Sequence, residues 1–166
     1  QILKKDSLFF ATFSDKCLSM VVYIIKEVRF FPEEQVFIAI EEEYTDPTIY
    51  FVIKGRVDLF MKSGTSDIFL KDMEVGSHFG EYAFFTGKHP GFSAKSKDFT
   101  TLFTINRRDF LEVLEKNPED YEKFCMIKDQ ILINGDYNPL KTRCFCCNKI
   151  GHLVNFSISF DKNEIK

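Results

Sequence analysis

A short segment near the middle of the chain combines residue types that can hold a small anionic ligand. Residues 79–85 have the sequence Phe-Gly-Glu-Tyr-Ala-Phe-Phe, and Ser93 and Ala94 follow shortly after. A glycine lets the backbone approach a ligand closely, and the first turn of a helix offers backbone N–H groups to a phosphate. The carboxylate of Glu81 can accept hydrogen bonds from sugar hydroxyl groups. This spacing predicts a site for a small anion.

A second group of potential ligands lies near the C-terminal end. Cys144, Cys147 and His152 match three of the four ligands of a zinc knuckle, in which two thiolates and a downstream imidazole help to close a tetrahedral site. The fourth position holds Ser157, which is a poor zinc ligand. We therefore expect a degenerate knuckle-like segment that does not bind zinc.

The composition limits the classes of protein to which this chain can belong. It has 166 residues, of which 45 % are hydrophobic, enough for one packed domain with small appendages. A net charge of −3 argues against a nucleic-acid-binding surface. No apolar run approaches the ~20 residues of a membrane span, so we expect no direct membrane insertion. Five cysteines, three of them within 144–147, do not form a secreted disulfide framework, which indicates an intracellular compartment.

Common catalytic motifs are missing from the sequence. We find no Gly-x-Ser-x-Gly turn, no phosphate-binding loop and no pairing of a nucleophile with a base. We therefore expect a protein that is not an enzyme. The chain begins at Gln1 rather than Met, and we expect it to be part of a longer polypeptide.

The candidate site must be positioned by elements that the residue pattern predicts. Helical periodicity covers residues 6–27, with Ser14 as the N-cap and with positions 18, 21, 22 and 25 on one apolar face. Short strands follow from residue 28 to about residue 103. A hairpin is predicted at Lys54 and Gly55, and one long strand is predicted over residues 94–105.

Two helices are predicted after the strands. The first covers residues 106–115, and Pro118 can begin the second at its first turn. An apolar stripe continues along the second helix to about residue 133, and Gly135 ends it.

Three separated motifs resemble the cyclic-nucleotide-binding domain family and occur in its order. Residues 50–57 resemble its central hairpin, and residues 76–81 resemble its Gly-x-x-Phe-Gly-Glu motif. Residues 79–94, called the cassette below, resemble its phosphate-binding cassette. The resemblance implies an α+β fold: an antiparallel, jelly-roll-like β-roll of about eight strands, flanked by N- and C-terminal helices.

The expected organisation has three parts. Residues 1–27 form an N-terminal helical segment, residues 28–133 form the roll with its C-terminal helices, and residues 134–166 form the cysteine-containing tail. The pattern of residues 84–96 is most similar to the cytoplasmic domains of voltage-gated and cyclic-nucleotide-regulated potassium channels, so the first segment would be the end of a channel linker.

The resemblance also implies a role for individual residues. Gly80 and Ala83 would offer N–H groups to a cyclic phosphate, Glu81 would bind the ribose 2′-hydroxyl, and Ser93 would bond the phosphate or the base. The whole predicted ligand set is Phe79, Gly80, Glu81, Tyr82, Ala83, Pro90, Ser93 and Ala94.

The cassette departs from the family pattern at one position. Pro90 stands where the family has an arginine that pairs with the phosphate. A bidentate, charge-assisted pair can exceed ~2 kcal/mol, so its loss should weaken binding by about tens-fold or more. Lys88 is near in sequence, but a lysine supplies a point charge and not a fork. We therefore expect cAMP and cGMP to bind weakly or not at all.

Simpler interpretations of the same residues stay open. Glu81 could be a solvated carboxylate or pair with a nearby cation, and Ser93 could be an ordinary strand residue. Phe84 and Phe85 are better explained as core residues than as a platform for a base, and His78 as structural or exposed.

The resemblance implies a regulatory domain that couples ligand binding to channel gating. The last helix would act as a lid with a hinge near Asn117 and Pro118, and Ile127 and Ile131 would cap the base. The implied partners are the rest of the channel and three further copies in a homotetramer. Alternatives are a structural or assembly domain that binds no nucleotide, a kinase regulatory subunit, or a transcription regulator.

A further expectation is that the lid helix, or the tail after Gly135, folds back and fills part of the ligand site. The candidates for this plug are Phe145, Ile150, Leu153 and Phe156.

Overall fold

The chain folds into a β-roll made of two four-stranded antiparallel sheets with helices packed beside them. The computed structural model describes residues 11–39, 46–63 and 65–140. The elements are α1 (Asp15–Val21), β1 (Lys26–Phe30), β2 (Gln35–Phe37), β3 (Thr48–Lys54), β4 (Val57–Ser63), β5 (Ser66–Met73), β6 (His78–Phe79), α2 (Glu81–Thr86), β7 (Ser93–Ser96), β8 (Thr100–Asn106), α3 (Arg107–Glu115), α4 (Pro118–Asn134) and a 3₁₀ turn (Asn138–Leu140).

The strand order shows that the cassette connects the two sheets. One sheet has the order β1-β8-β3-β6, and the other has the order β2-β7-β4-β5. The cassette therefore starts on the first sheet, at β6, and ends on the second, at β7. This arrangement confirms the predicted α+β roll.

Two apolar clusters stabilise the fold. The first lies between the sheets and includes Tyr50, Leu59, Phe79 and Ala94. The second joins the helices to the outer side of β3 and β8, and its largest fully buried residues include Phe84, Phe85, Phe110 and Phe124. Burying a phenylalanine side chain is worth about 1.5–3 kcal/mol, so this second cluster is what fixes the helices on the roll.

The predicted hairpin at Lys54 and Gly55 is wrong. β3 and β4 are consecutive, but β3 pairs with β6 and β8 while β4 pairs with β5 and β7. Gly55 (φ 80°) carries the chain from one sheet to the other. A Cβ at this position would lie 2.6 Å from the carbonyl oxygen of Phe99, so the glycine serves a close crossing and not a hairpin turn.

Two further boundaries differ from the prediction. The N-terminal helix ends at Val21, and Lys26 and Glu27 already belong to β1. Val22 is 66 % exposed, so it does not share the buried face of that helix. The long strand expected over residues 94–105 is two strands, because the chain turns at residues 97–99.

The first and last helices are joined by a buried hydrogen-bond cluster, called the hinge cluster below. Ser14 caps α1 by accepting a hydrogen bond from the N–H of Cys17 (3.2 Å), as predicted. The Ser14 N–H donates to Asp120 in the first turn of α4 (3.0 Å), and the Ser14 hydroxyl donates to the same carboxylate. Asn117 donates to the sulfur of Met20 (3.3 Å). Both helix starts are thus held together.

Some expectations lie outside the described residues. These include the candidate metal ligands Cys144, Cys147 and His152 and the proposed plug in the tail. Within the described part of the chain, no group of three or more His, Cys, Asp or Glu residues is arranged to hold a metal ion. Among those same residues, no helix has the length and apolar character needed to cross a membrane.

Candidate functional site

The cassette helix begins at a glycine that no other residue could replace without strain. Gly80 has a left-handed conformation (φ 97°) at the N-cap of α2. A Cβ on Gly80 would lie 2.4 Å from the carbonyl oxygen of Thr48 on β3. The backbone angle and this close approach both exclude a side chain. The helix start is therefore pressed directly against the sheet.

The resemblance implies that the N–H groups of Gly80 and Ala83 bind a phosphate, and Ala83 lies in the first turn of α2. The first intrahelical hydrogen bond runs from the N–H of Phe84 to the carbonyl of Gly80 (3.0 Å). The N–H groups of Glu81, Tyr82 and Ala83 precede it, as the first amides of any helix do. Such amides suit an anion because they point along the helix axis away from the helix.

The carboxylate of Glu81 is buried and bonded to a histidine. Glu81 is only 4 % exposed, and its Oε1 is in hydrogen-bond contact with Nδ1 of His78 at the start of β6. Burial favours the neutral imidazole, but the hydrogen bond and the negative charge of Glu81 outweigh it and raise the pKa of His78. Among the alternatives for Glu81, this contact corresponds to pairing with a nearby side chain that becomes a cation when protonated.

Ser93 is engaged by the neighbouring strand. It is 2 % exposed in β7, and its Oγ accepts a hydrogen bond from the N–H of Ala39 (2.9 Å). This contact is what an ordinary strand residue would make. The hydroxyl proton of Ser93 can still be donated to a ligand, since a hydroxyl accepts and donates at once.

Aromatic rings occupy the interior of the roll beside the cassette. Phe79 stacks on Tyr50 (ring centroids 5.0 Å apart), and Tyr50 stacks in turn on Phe37 (5.4 Å). Phe92 lies 5.8 Å from Phe37. Ala94 is fully buried in the same cluster. Phe79 and Ala94 therefore shape the wall of the candidate site and give it no polar group.

The position expected to hold arginine lies in the connection between α2 and β7. Pro90 is half-buried there and has no side-chain donor. Lys88 is exposed. His89 accepts a hydrogen bond at Nδ1 from the N–H of Gly91 (3.1 Å). The cassette thus supplies backbone amides for an anion but no planar, charged fork.

The last helix packs on the cassette helix. The ring of Phe124 on α4 lies 5.3 Å from Phe85 and 6.2 Å from Phe84. Ile127 and Ile131 are buried in the same cluster. Phe84 and Phe85 are core residues, as expected. The role of the two isoleucines as a cap over a base remains a prediction.

The chain after Gly135 also returns to the cassette. The ring of Tyr137 lies 6.2 Å from that of Tyr82, and Leu140 is fully buried in the helical cluster. The proximity of Tyr137, after burial, raises the pKa of the half-buried Tyr82. A rearrangement of the cassette would therefore change the packing of the residues that follow α4.

Sequence reasoning missed one residue at the site and one in the hinge cluster. His78 was expected to be structural or exposed, although its position three residues before Glu81 indicated that the two side chains could meet. Asp120 was not singled out, and its only local signal is its place in the acidic first turn of α4. Its partner Ser14 lies 106 positions away, so no local pattern identifies the pair.

The connection between the two sheets of the roll contains the helix α2, which begins at Gly80 and packs on α4. The family model for the cyclic nucleotide-binding domain matches residues 28–117. The chain belongs to this family.

Solved structures with the same fold come from several kinds of regulator. The N-terminal domain of a transcriptional regulator from Streptomyces coelicolor has a TM-score of 0.63 and 17 % identity, covering 76 % of this chain and 86 % of that one. The catabolite activator protein of Thermus thermophilus has a TM-score of 0.57 and 18 % identity, covering 78 % and 60 %.

A third similar structure is a kinase subunit. The regulatory subunit of a cAMP-independent protein kinase A from Trypanosoma brucei has a TM-score of 0.52 and 17 % identity, covering 74 % of this chain and 47 % of that one. This chain thus spans about half of the kinase subunit. No curated protein matches this chain.

Proposed function

We propose that this chain is a non-catalytic regulatory domain in which a cyclic nucleotide, bound weakly at the cassette, changes the position of α4. The observation that carries the proposal is the start of α2, where Gly80 lies directly against Thr48 of β3 and begins the cassette helix, in a chain that belongs to the cyclic nucleotide-binding domain family. The ligand-binding residues proposed are those of the cassette that were predicted from the sequence.

Weak binding follows from the charges around the cassette. Pro90 stands at the position of the family's arginine, so the charged partner of the phosphate is missing. The carboxylate of Glu81 is already bonded to His78. Without a charged fork, the phosphate would be held only by backbone amides and the hydroxyl of Ser93. Losing a charge-assisted bidentate pair should weaken affinity by about tens-fold or more.

The hinge cluster supports the coupling of the site to the rest of the protein. α4 packs on the cassette helix through Phe124, and its first turn is bonded to Ser14 at the start of α1. A ligand that displaces α2 would shift α4, and the Asp120 contacts would carry this shift to α1. We propose Asn117 and Pro118 as the hinge, since α4 begins there.

The kind of full-length protein that contains this domain is proposed from the sequence. The pattern of residues 84–96 supports the cytoplasmic part of a voltage-gated or cyclic-nucleotide-regulated potassium channel, with this domain present four times in the assembled protein. Transcription regulators and a kinase regulatory subunit share the fold. The complete sequence distinguishes them: six apolar spans and a pore loop before residue 1 would support the channel, and a helix-turn-helix after residue 140 would overturn it.

Calorimetric titration of this chain with cAMP and with cGMP tests the ligand proposal. We expect dissociation constants far above the micromolar range, and a sub-micromolar value would contradict weak binding. Pro90→Arg should tighten binding by about tenfold or more, because it restores the charged fork. Lys88→Arg is the matched control, since it adds a guanidinium fork at a neighbouring exposed position and should leave the affinity unchanged.

A nucleotide-independent structural or assembly domain is the second candidate. The observation in its favour is that Glu81 and Ser93 both have protein partners, His78 and the N–H of Ala39. A Pro90→Arg variant that still binds neither nucleotide at millimolar concentration would favour this candidate over the first.

A further inference from the structure

His78 and Glu81 form a hydrogen-bonded pair at the head of the cassette helix. The Glu81 side chain is 5 % exposed and that of His78 is 27 % exposed. Nδ1 of His78 contacts Oε1 of Glu81, and no other described side chain or backbone N–H is bonded to this carboxylate. The second oxygen, Oε2, therefore retains its lone pairs for another donor.

The surroundings make the pair sensitive to pH. His78 packs against β3, where its register partner is Phe51, whose ring centroid lies 6.0 Å from the imidazole. Glu81 on α2 is the one charged group that faces His78 among the described residues. With His78 protonated the pair is neutral, and with His78 neutral the pair carries one buried negative charge.

That charge matters because the cassette lacks an arginine. A cyclic phosphodiester is an anion next to the ribose 2′-hydroxyl, so a carboxylate that accepts from this hydroxyl also lies close to the phosphate. Like charges in a partly buried site repel strongly, since the effective dielectric constant is lower than that of water. A cationic partner on the carboxylate removes the repulsion.

We propose that His78 is a positioning residue whose charge takes the place of that of the missing arginine. It holds Oε1 of Glu81 by a hydrogen bond and leaves Oε2 to accept from a sugar hydroxyl. When His78 is protonated, it also neutralises the carboxylate. The ligand class is an anionic nucleotide with a free ribose hydroxyl. The inference rests on the proposed function and adds its regulation by protons. Ligand binding then promotes protonation of His78, and affinity rises as the pH falls through the pKa of His78.

The first test needs no ligand. The imidazole of His78 is titrated by NMR in the whole chain, with Glu81→Gln as the variant that keeps the size of the side chain. We expect the pKa of His78 to fall in the variant, because the negative charge that raises it is lost. An unchanged pKa would overturn the inference and leave the proposed function intact.

The second test measures cAMP affinity between about pH 5.5 and pH 8, which spans the ordinary pKa of histidine. Pro90→Arg serves as the background because it brings affinity into a measurable range. We expect about tenfold tighter binding at the acidic end, which corresponds to roughly 1.4 kcal/mol. His78→Gln in this background should flatten the pH dependence while keeping a hydrogen-bond donor for Glu81.

His89→Gln is the matched control, since this second cassette histidine bonds the backbone of Gly91 and not Glu81. It should retain the pH dependence. A pH dependence that survives His78→Gln, or that His89→Gln abolishes, overturns the role of His78. If neither the unmodified chain nor the Pro90→Arg variant binds cAMP at any pH, the proposed function itself is overturned, and the ligand role of His78 with it.

Discussion

Two buried carboxylates lie in the first turns of helices, and they differ in the number of hydrogen bonds that they accept. Asp120, at the start of α4, is 2 % exposed and accepts from the N–H of Ser14, the hydroxyl of Ser14 and the ammonium of Lys123. Glu81, at the start of α2, is 4 % exposed and has one described partner, His78. Burial is nearly equal, so the difference lies in how many donors surround each group.

This difference separates a structural role from a binding role. A buried carboxylate with several donors is stabilised in its charged form and fixes the elements that supply them. A buried carboxylate with one donor has lone pairs left for a ligand. The hinge cluster therefore connects the helices, and the carboxylate of Glu81, with its single described donor, supports the proposed role of the cassette in recognition.

Removing Asp120 should have the largest effect on stability. Asp120→Ala leaves the Ser14 N–H without its acceptor and separates α1 from α4, so we expect the free energy of unfolding to fall by about 3 kcal/mol. Urea denaturation followed by circular dichroism measures the loss. The control is Asp129→Ala on the same helix, where the side chain is 53 % exposed and the change should stay within about 0.5 kcal/mol. Equal effects at both positions would contradict the structural role of Asp120.

Replacing the glycine at the start of α2 should be nearly as damaging. Gly80→Ala places a methyl group against the Thr48 carbonyl in a left-handed conformation, and we expect a loss of about 2–3 kcal/mol. Gly91→Ala is the matched control, because its φ is also positive (76°) while nothing lies within 4 Å of the added methyl. It should cost about 1 kcal/mol. Thermal melts of the two variants distinguish the loss of stability caused by the contact with Thr48 from the loss caused by the positive φ.

Truncating Glu81 should cost less than truncating Asp120, because one hydrogen bond is lost and not three. For Glu81→Ala we expect a loss of about 1 kcal/mol in the free energy of unfolding at neutral pH, from the same urea curves. A loss equal to that of Asp120→Ala would show that Glu81 is fully committed to the fold, and the contrast between the two carboxylates would fail.

Asp58 supplies a third carboxylate that should destabilise the protein at neutral pH. Burial, then a hydrogen bond with Asp72 and its charge, raise the pKa of Asp58 to about 6, although Lys97 opposes the shift. An acid with a raised pKa in the folded state contributes stability below its unfolded pKa of about 4, and this contribution is lost as the pH rises through about 6.

Asp58→Asn should therefore raise the free energy of unfolding at pH 7 by about 1 kcal/mol, with a smaller gain at pH 4. Denaturation at the two pH values measures the difference. Asp67→Asn on the exposed face of β5 is the control and should give the same small change at both. A variant that is less stable than the wild type at pH 7 would show that Asp58 is held in its charged form.

Features that depend only on neighbouring residues could be predicted before the structure was known. The Ser14 cap, the start of α4 at Pro118 and its end at Gly135 follow from local backbone chemistry, and the structure has each of them. The order of strands and helices and the Gly-Glu start of the cassette gave the fold and the family. These features could be predicted because each needs only a few consecutive residues.

Contacts between groups that are distant in sequence could not be predicted in this way. β3 and β4 are adjacent in sequence but join different sheets, so a glycine typical of a hairpin serves a crossing. Ser93 meets Ala39 across 54 positions, and Ser14 meets Asp120 across 106. Such contacts depend on how the two sheets and the helices pack, and a local pattern contains no information on that packing. Whether a buried carboxylate has one donor or three is therefore set by the fold as a whole.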